Sequence, residues 1–117
     1  MNLDGIVYLE RLRKLVQDLP GAEEATSYGT PAFFVKKKLF ARMKEDGLSL
    51  VLHTEDRNAL MRKNPAVFYI TDHYLNYEAY VLVRMNKVND KELKALLVAS
   101  WRLRAPVKLL KAYDDNH

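Results

Sequence analysis

The residues best suited to chemistry in this chain are Lys36, Lys37, Lys38, Arg42 and Lys44, which fall close together with no acidic residue between positions 36 and 44. Residues 38–44 alternate as a strand does, so Lys38, Phe40, Arg42 and Lys44 should project from one face, with Leu39, Ala41 and Met43 on the other. Cations in such a row neutralise phosphates, and an aromatic ring between them can stack on a base. Lys36, Lys37, Lys38, Phe40, Arg42 and Lys44 are therefore the candidate nucleic-acid contacts, carried on a hairpin that could act as a wing. The plainer alternative is a solvated hairpin whose lysines discourage edge-to-edge association.

Other residue types offer less. Arg102, Arg104, Lys108 and Lys111 form a second basic cluster near the C-terminal end. Cations are favoured at the end of a helix in any case, so this cluster matters only if the fold sets it beside the first. His53, His73 and His117 are scattered, and a catalytic histidine needs an orienting partner and a nucleophile within reach. Asp72 adjoins His73, but the segment reads more simply as a loop tied by the Thr71 and Asp72 side chains. Glu23 and Glu24 are adjacent carboxylates at a helix-to-strand junction, with no sign of a pocket to separate their pKa values. The glycines are too far apart for a phosphate-cradling loop. No catalytic residues, cofactor site or metal ligands emerge, and an enzyme is not expected.

The elements that must position these side chains belong to one domain spanning residues 1–117, a length typical of a single core. Hydrophobic residues make up 49% and charged residues 29%, an ordinary globular balance. The net charge of +4 permits nucleic-acid binding without requiring it. There are no cysteines, so disulfides and thiolate chemistry are excluded. No apolar run approaches the roughly 18 residues that span a bilayer, and no signal peptide is visible. A cytoplasmic protein with no membrane partner is expected, as a monomer or weak homodimer.

The periodicity predicts a helix over residues 4–19, with Leu9, Leu12, Val16 and Leu19 inward and Pro20-Gly21 ending it. Strands are predicted over 25–28, 32–35, 38–44 and 48–53, with Leu48, Leu50 and Leu52 inward. Thr54 reads as the cap of a second helix ending at Asn64-Pro65. Residues 67–70 and 78–85 read as further strands, the latter the longest. Asn89 and Glu92 form a capping box for a third helix with Leu93, Leu96, Leu97, Ser100 and Trp101 inward. Residues 107–113 follow Pro106 as a short helix. The expected fold class is α+β, an antiparallel sheet of about five strands with the N- and C-terminal helices packed on one face, in the order α-βββ-α-ββ-α.

Several segments, collinear along nearly the whole chain, resemble the MmcQ/YjbR family. They run through Leu19-Pro20-Gly21-Ala22-Glu23-Glu24, Ser27-Tyr28-Gly29-Thr30-Pro31-Ala32-Phe33 and Lys38-Leu39-Phe40-Ala41-Arg42. They resume at Phe68-Tyr69-Ile70-Thr71-Asp72-His73-Tyr74, Val81-Leu82-Val83-Arg84, Ser100-Trp101-Arg102 and Ala105-Pro106. The resemblance implies a CyaY-like, double-wing α+β domain and a DNA-binding role, with no agreed catalytic motif to carry over. Many relatives carry glycine in the turn before the third strand, where this chain has Lys36-Lys37, so the turn is expected to differ in shape. The alternative function is a small-ligand or protein-interaction domain using the exposed sheet face or the aromatic connection 68–80.

Overall fold

The computed structural model describes residues 2–117. Helix α1 (Leu3–Val16) starts at Asn2, whose side chain accepts from the Gly5 amide, and it turns Leu9, Leu12 and Val16 inward. It ends three residues earlier than the periodicity suggests, and Leu19 is buried from the turn that follows. A six-stranded antiparallel sheet is built from β1 (Ala22–Ser27), β2 (Thr30–Val35), β3 (Lys38–Met43), β4 (Ser49–His53), β5 (Phe68–Tyr69) and β6 (Tyr80–Arg84). The spatial order is β1-β2-β3-β4-β6-β5, so β6 enters between β4 and the short edge strand β5.

The α+β class and the broad element order agree with expectation, and six strands form where a sheet of about five was expected. The first strand runs from Ala22 and stops at Ser27 rather than Tyr28, because Tyr28 already lies in the turn, at φ 51°. The last strand is shorter than 78–85, because the Tyr80 amide donates to Tyr77 O and closes a turn there. Helix α2 (Arg57–Lys63) is capped by Asp56 rather than Thr54. The Thr54 amide donates to Ala79 O at 2.8 Å, one hydrogen bond beyond the end of β4, which holds residue 54 against the sheet rather than at the helix start. Helix α3 (Asp90–Arg104) is capped by Asn89 as the sequence indicates, and α4 (Val107–Asp115) follows Pro106.

The main core lies between the sheet and its helices. Phe33, Val35, Met43, Leu50, Leu52, Val81 and Val83 meet Leu12, Leu93, Leu97 and Trp101 there. The Trp101 indole donates to Pro20 O at 3.1 Å, so the largest buried ring is also satisfied. The opposite face carries a smaller cluster of Val51, Leu82 and Tyr74, with Tyr69, Ile70 and Tyr80 against it. Leu48 was expected inward but is 44% exposed.

Strand β3 departs most from simple alternation. Phe33 pairs with Ala41 but Phe34 pairs with Leu39, which leaves Phe40 as an extra, bulged residue. The bulge rotates Phe40 into the helix-side core, where it is fully buried and lies 6.5 Å from the Phe33 ring. The Leu39 carbonyl accepts from Arg104 Nε at 3.0 Å and the Phe40 carbonyl from Ser100 Oγ at 2.6 Å. Helix α3 thus supplies the partners that an irregular strand cannot find in its neighbours.

Candidate functional site

The bulge divides the six candidate contacts of the sequence. Lys36, Lys37 and Lys38 are exposed around the β2–β3 turn. Phe40 is core, so it cannot stack on a base. Arg42 is only 6% exposed and faces the opposite side of the sheet. Lys44 is half-buried, with Nζ 3.5 Å from Asp46 Oδ2. The single basic face expected of Lys38, Phe40, Arg42 and Lys44 is therefore not formed, because one extra residue breaks the period of two.

The lysine turn itself is tight. Lys36 and Lys37 both adopt left-handed backbone, at φ 49° and 66°, as a two-residue hairpin turn requires. Glycine is the usual residue there, and lysine costs on the order of 1–2 kcal/mol at each position. Among the described residues none of the three lysines forms an ion pair. Part of the second basic cluster lies beside them. Arg104 reaches the carbonyl of Leu39, the neighbour of Lys38. Leu109 packs on Gly21 next to Val35, which brings α4 and its exposed Lys108 toward the same end of the sheet. Arg102 is engaged elsewhere, paired with Asp114 and lying over the Tyr113 ring.

On the helix-free face, Tyr28, Leu39, Arg42, Glu45, Val51, His73, Tyr74, Tyr77 and Tyr80 line a half-open concavity of about 680 Å³. Arg42 sits in its wall. Its Nη1 donates to Glu45 Oε1 at 2.9 Å and to Thr30 Oγ1 at 3.1 Å, and its Nη2 donates to the Tyr74 hydroxyl at 3.0 Å. Burial opposes the Arg42 charge, but Glu45 and Tyr74 outweigh it and raise its pKa. Glu45 is held below the usual carboxylate range, first by its own backbone amide and then by Arg42.

The tyrosine loop of this concavity is held by a residue that sequence reasoning passed over. Arg57, buried at the start of α2, donates to the carbonyls of Tyr74, Leu75 and Tyr77 at 2.5, 2.9 and 3.0 Å. The available signal was its position, since a cation in the first turn of a helix opposes the dipole unless it is held by other acceptors. The main chain closes this loop as well, with the Tyr74 amide on Thr71 O; the Thr71 side chain makes no capping bond, contrary to expectation.

The remaining candidates have structural partners. Glu24 accepts from Arg13 at 2.7 Å through both oxygens, which lowers its pKa, and Glu23 is exposed. His53 packs edge-on against Tyr80 with ring centroids 5.3 Å apart, and its Nδ1 is buried without a partner. Burial, with a contribution from Arg104, lowers the His53 pKa. Among the described residues no three His, Asp or Glu side chains gather to hold a metal ion, and no helix is long and apolar enough to cross a membrane.

Comparison with known proteins adds a family. The model of the family described as YjbR matches residues 17–103. The crystal structure of a Deinococcus radiodurans protein with the family-model domain DUF419 superposes with a TM-score of 0.70 at 25% identity, covering 81% of this chain and 76% of that one. Uncharacterized proteins of Mycobacterium tuberculosis and Mycobacterium bovis are each 34% identical over 58 residues, which is 50% of this chain and 44% of theirs. The match thus spans less than half the length of these curated relatives.

Proposed function

The chain belongs to the YjbR family, and on that premise we propose that it is a nucleic-acid-binding domain whose phosphate contacts are Lys36, Lys37 and Lys38. One observation carries this reading. Three exposed lysines without ion pairs stand at a turn that would be less strained with glycine, and Arg104 lies next to them. Uncompensated cations on a protruding turn are what phosphate neutralisation uses. Phe40, Arg42 and Lys44 drop out of the interface, since burial or an ion pair occupies them. The role is that of a binding protein without a catalytic step, acting in the cytoplasm, as a cysteine-free chain suits.

The test is fluorescence anisotropy with labelled duplex and single-stranded DNA at two salt concentrations. Three phosphate contacts on a duplex give a log–log salt slope of about −2.7, so affinity should fall roughly 40-fold between about 50 and 200 mM salt. Charge reversal of Lys36, Lys37 and Lys38 together should abolish binding at both. Equal binding by the triple variant, or no binding by the wild type at low salt, ends this reading.

A further inference from the structure

The concavity on the helix-free face contains a residue whose cost the fold does not explain. Tyr28 is held in left-handed backbone at φ 51° and is 87% exposed. A bulky residue is strained there, and glycine or asparagine would close the same turn without strain. The ring recovers almost nothing by burial. What it has is position, at the mouth of the concavity and 5.5 Å from the Arg42 guanidinium. Strain kept at an exposed aromatic is a mark of use rather than of folding.

The wall beneath it supplies a directional edge. Arg42 Nη1 is taken up by Glu45 Oε1 and Thr30 Oγ1, but Nη2 donates only to the Tyr74 hydroxyl at 3.0 Å and keeps a second hydrogen, beside the exposed Glu45 carboxylate as acceptor. The charges of Arg42 and Glu45 offset one another, so the edge suits a neutral partner better than an anion. Tyr77 and His73, both exposed and with ring centroids 5.4 Å apart, border the same space. A volume of about 680 Å³ lies within the usual range for small-molecule sites.

We infer that this concavity binds a neutral heteroaromatic ring of nucleobase size, stacked on Tyr28 and hydrogen-bonded along one edge by Arg42 and Glu45. Flat π-faces with a donor and an acceptor at one margin are what base recognition uses. A free nucleoside and an unpaired nucleotide of a strand present the same ring. The site is separate from the lysine turn, and the inference does not rest on phosphate binding there.

The experiment is an NMR titration of the full chain with adenosine and with uridine, which carry no phosphate, and then with a short single-stranded oligonucleotide. Either nucleoside should shift the ring signals of Tyr28, His73 and Tyr77 saturably and with little dependence on salt. Tyr28→Gly relieves the backbone strain, so it should melt no lower than the wild type while binding the nucleoside at least about tenfold more weakly. Oligonucleotide binding much tighter than nucleoside binding at the same rings makes a strand the occupant; comparable affinities make it a free nucleoside. Absence of a saturable shift at these rings with all three probes, or unchanged binding by Tyr28→Gly, overturns the inference. Loss of salt-dependent duplex binding with the nucleoside shifts retained would sink the lysine-turn reading alone.

Discussion

Arg57 of α2 donates to the main-chain carbonyl of Tyr74 at 2.5 Å, and this contact ties a helix to the loop that walls the concavity. The same guanidinium reaches Leu75 and Tyr77, so one side chain replaces the ladder partners that an irregular loop lacks. Arg57→Met should keep much of the packing and leave these carbonyls unpaired. We expect a loss of about 2–4 kcal/mol in urea denaturation, from several weakly solvated acceptors. Hydrogen exchange should quicken at the Tyr77 and Tyr80 amides, and Arg57→Lys should restore only part of the stability because it lacks the planar fork. Unchanged exchange in Arg57→Met would show that the loop is held by its own turns.

Lys37 tests whether the lysine turn trades stability for binding. Its φ of 66° suits glycine, so Lys37→Gly should raise stability by about 0.5–1 kcal/mol. The same substitution should lower the salt slope of DNA binding by about one contact's worth, near 0.9. A stabilised variant with an unchanged slope would remove Lys37 from the interface.

Phe40 separates a core role from a stacking role. With no exposed surface, it should cost about 3–5 kcal/mol as Phe40→Ala. Phe40→Leu should fold and bind DNA as the wild type does, because the ring never meets the ligand. Weaker DNA binding by a well-folded Phe40→Leu would return the ring to the interface.

His53 sets a pH dependence of stability. Its pKa in the folded state lies below the usual value because burial disfavours the imidazolium, and Arg104 adds repulsion. The unfolded chain therefore takes up the proton first as pH falls, so this contribution is complete above about pH 6.5 and is lost below it. The melting temperature should decline as pH falls below about 6.5, and His53→Phe should flatten that decline. The depressed carboxylates act in a lower window: Asp18, held down chiefly by Lys94, and Glu24, held down by Arg13, lose their contribution as pH falls below about 4.5. A decline of equal slope in His53→Phe would exclude this histidine as its source.

Much of the architecture was legible in the sequence because it is local. The Asn89 cap, the inward stripe of α3 and the break at Pro106 depend on residues within one or two turns of one another, and each is found where the chain indicates. The paired hairpins were legible for the same reason, whereas left-handed backbone at Lys36 and Lys37 is not what two lysines announce. The distribution of the candidate site was not. Whether Phe40 and Arg42 share a face depends on the register between β2 and β3, and one bulged residue puts them on opposite sides of the sheet. Nothing within residues 38–44 announces that bulge, since it is stabilised from outside the strand by Ser100 and Arg104. Arg57 and the tyrosine loop make the same point, because their contacts join residues about 20 positions apart. Near-neighbour patterning settles which segments become helix or strand. Strand register and long-range hydrogen bonds, which exist only once the chain has closed on itself, decided which side chains meet at a surface.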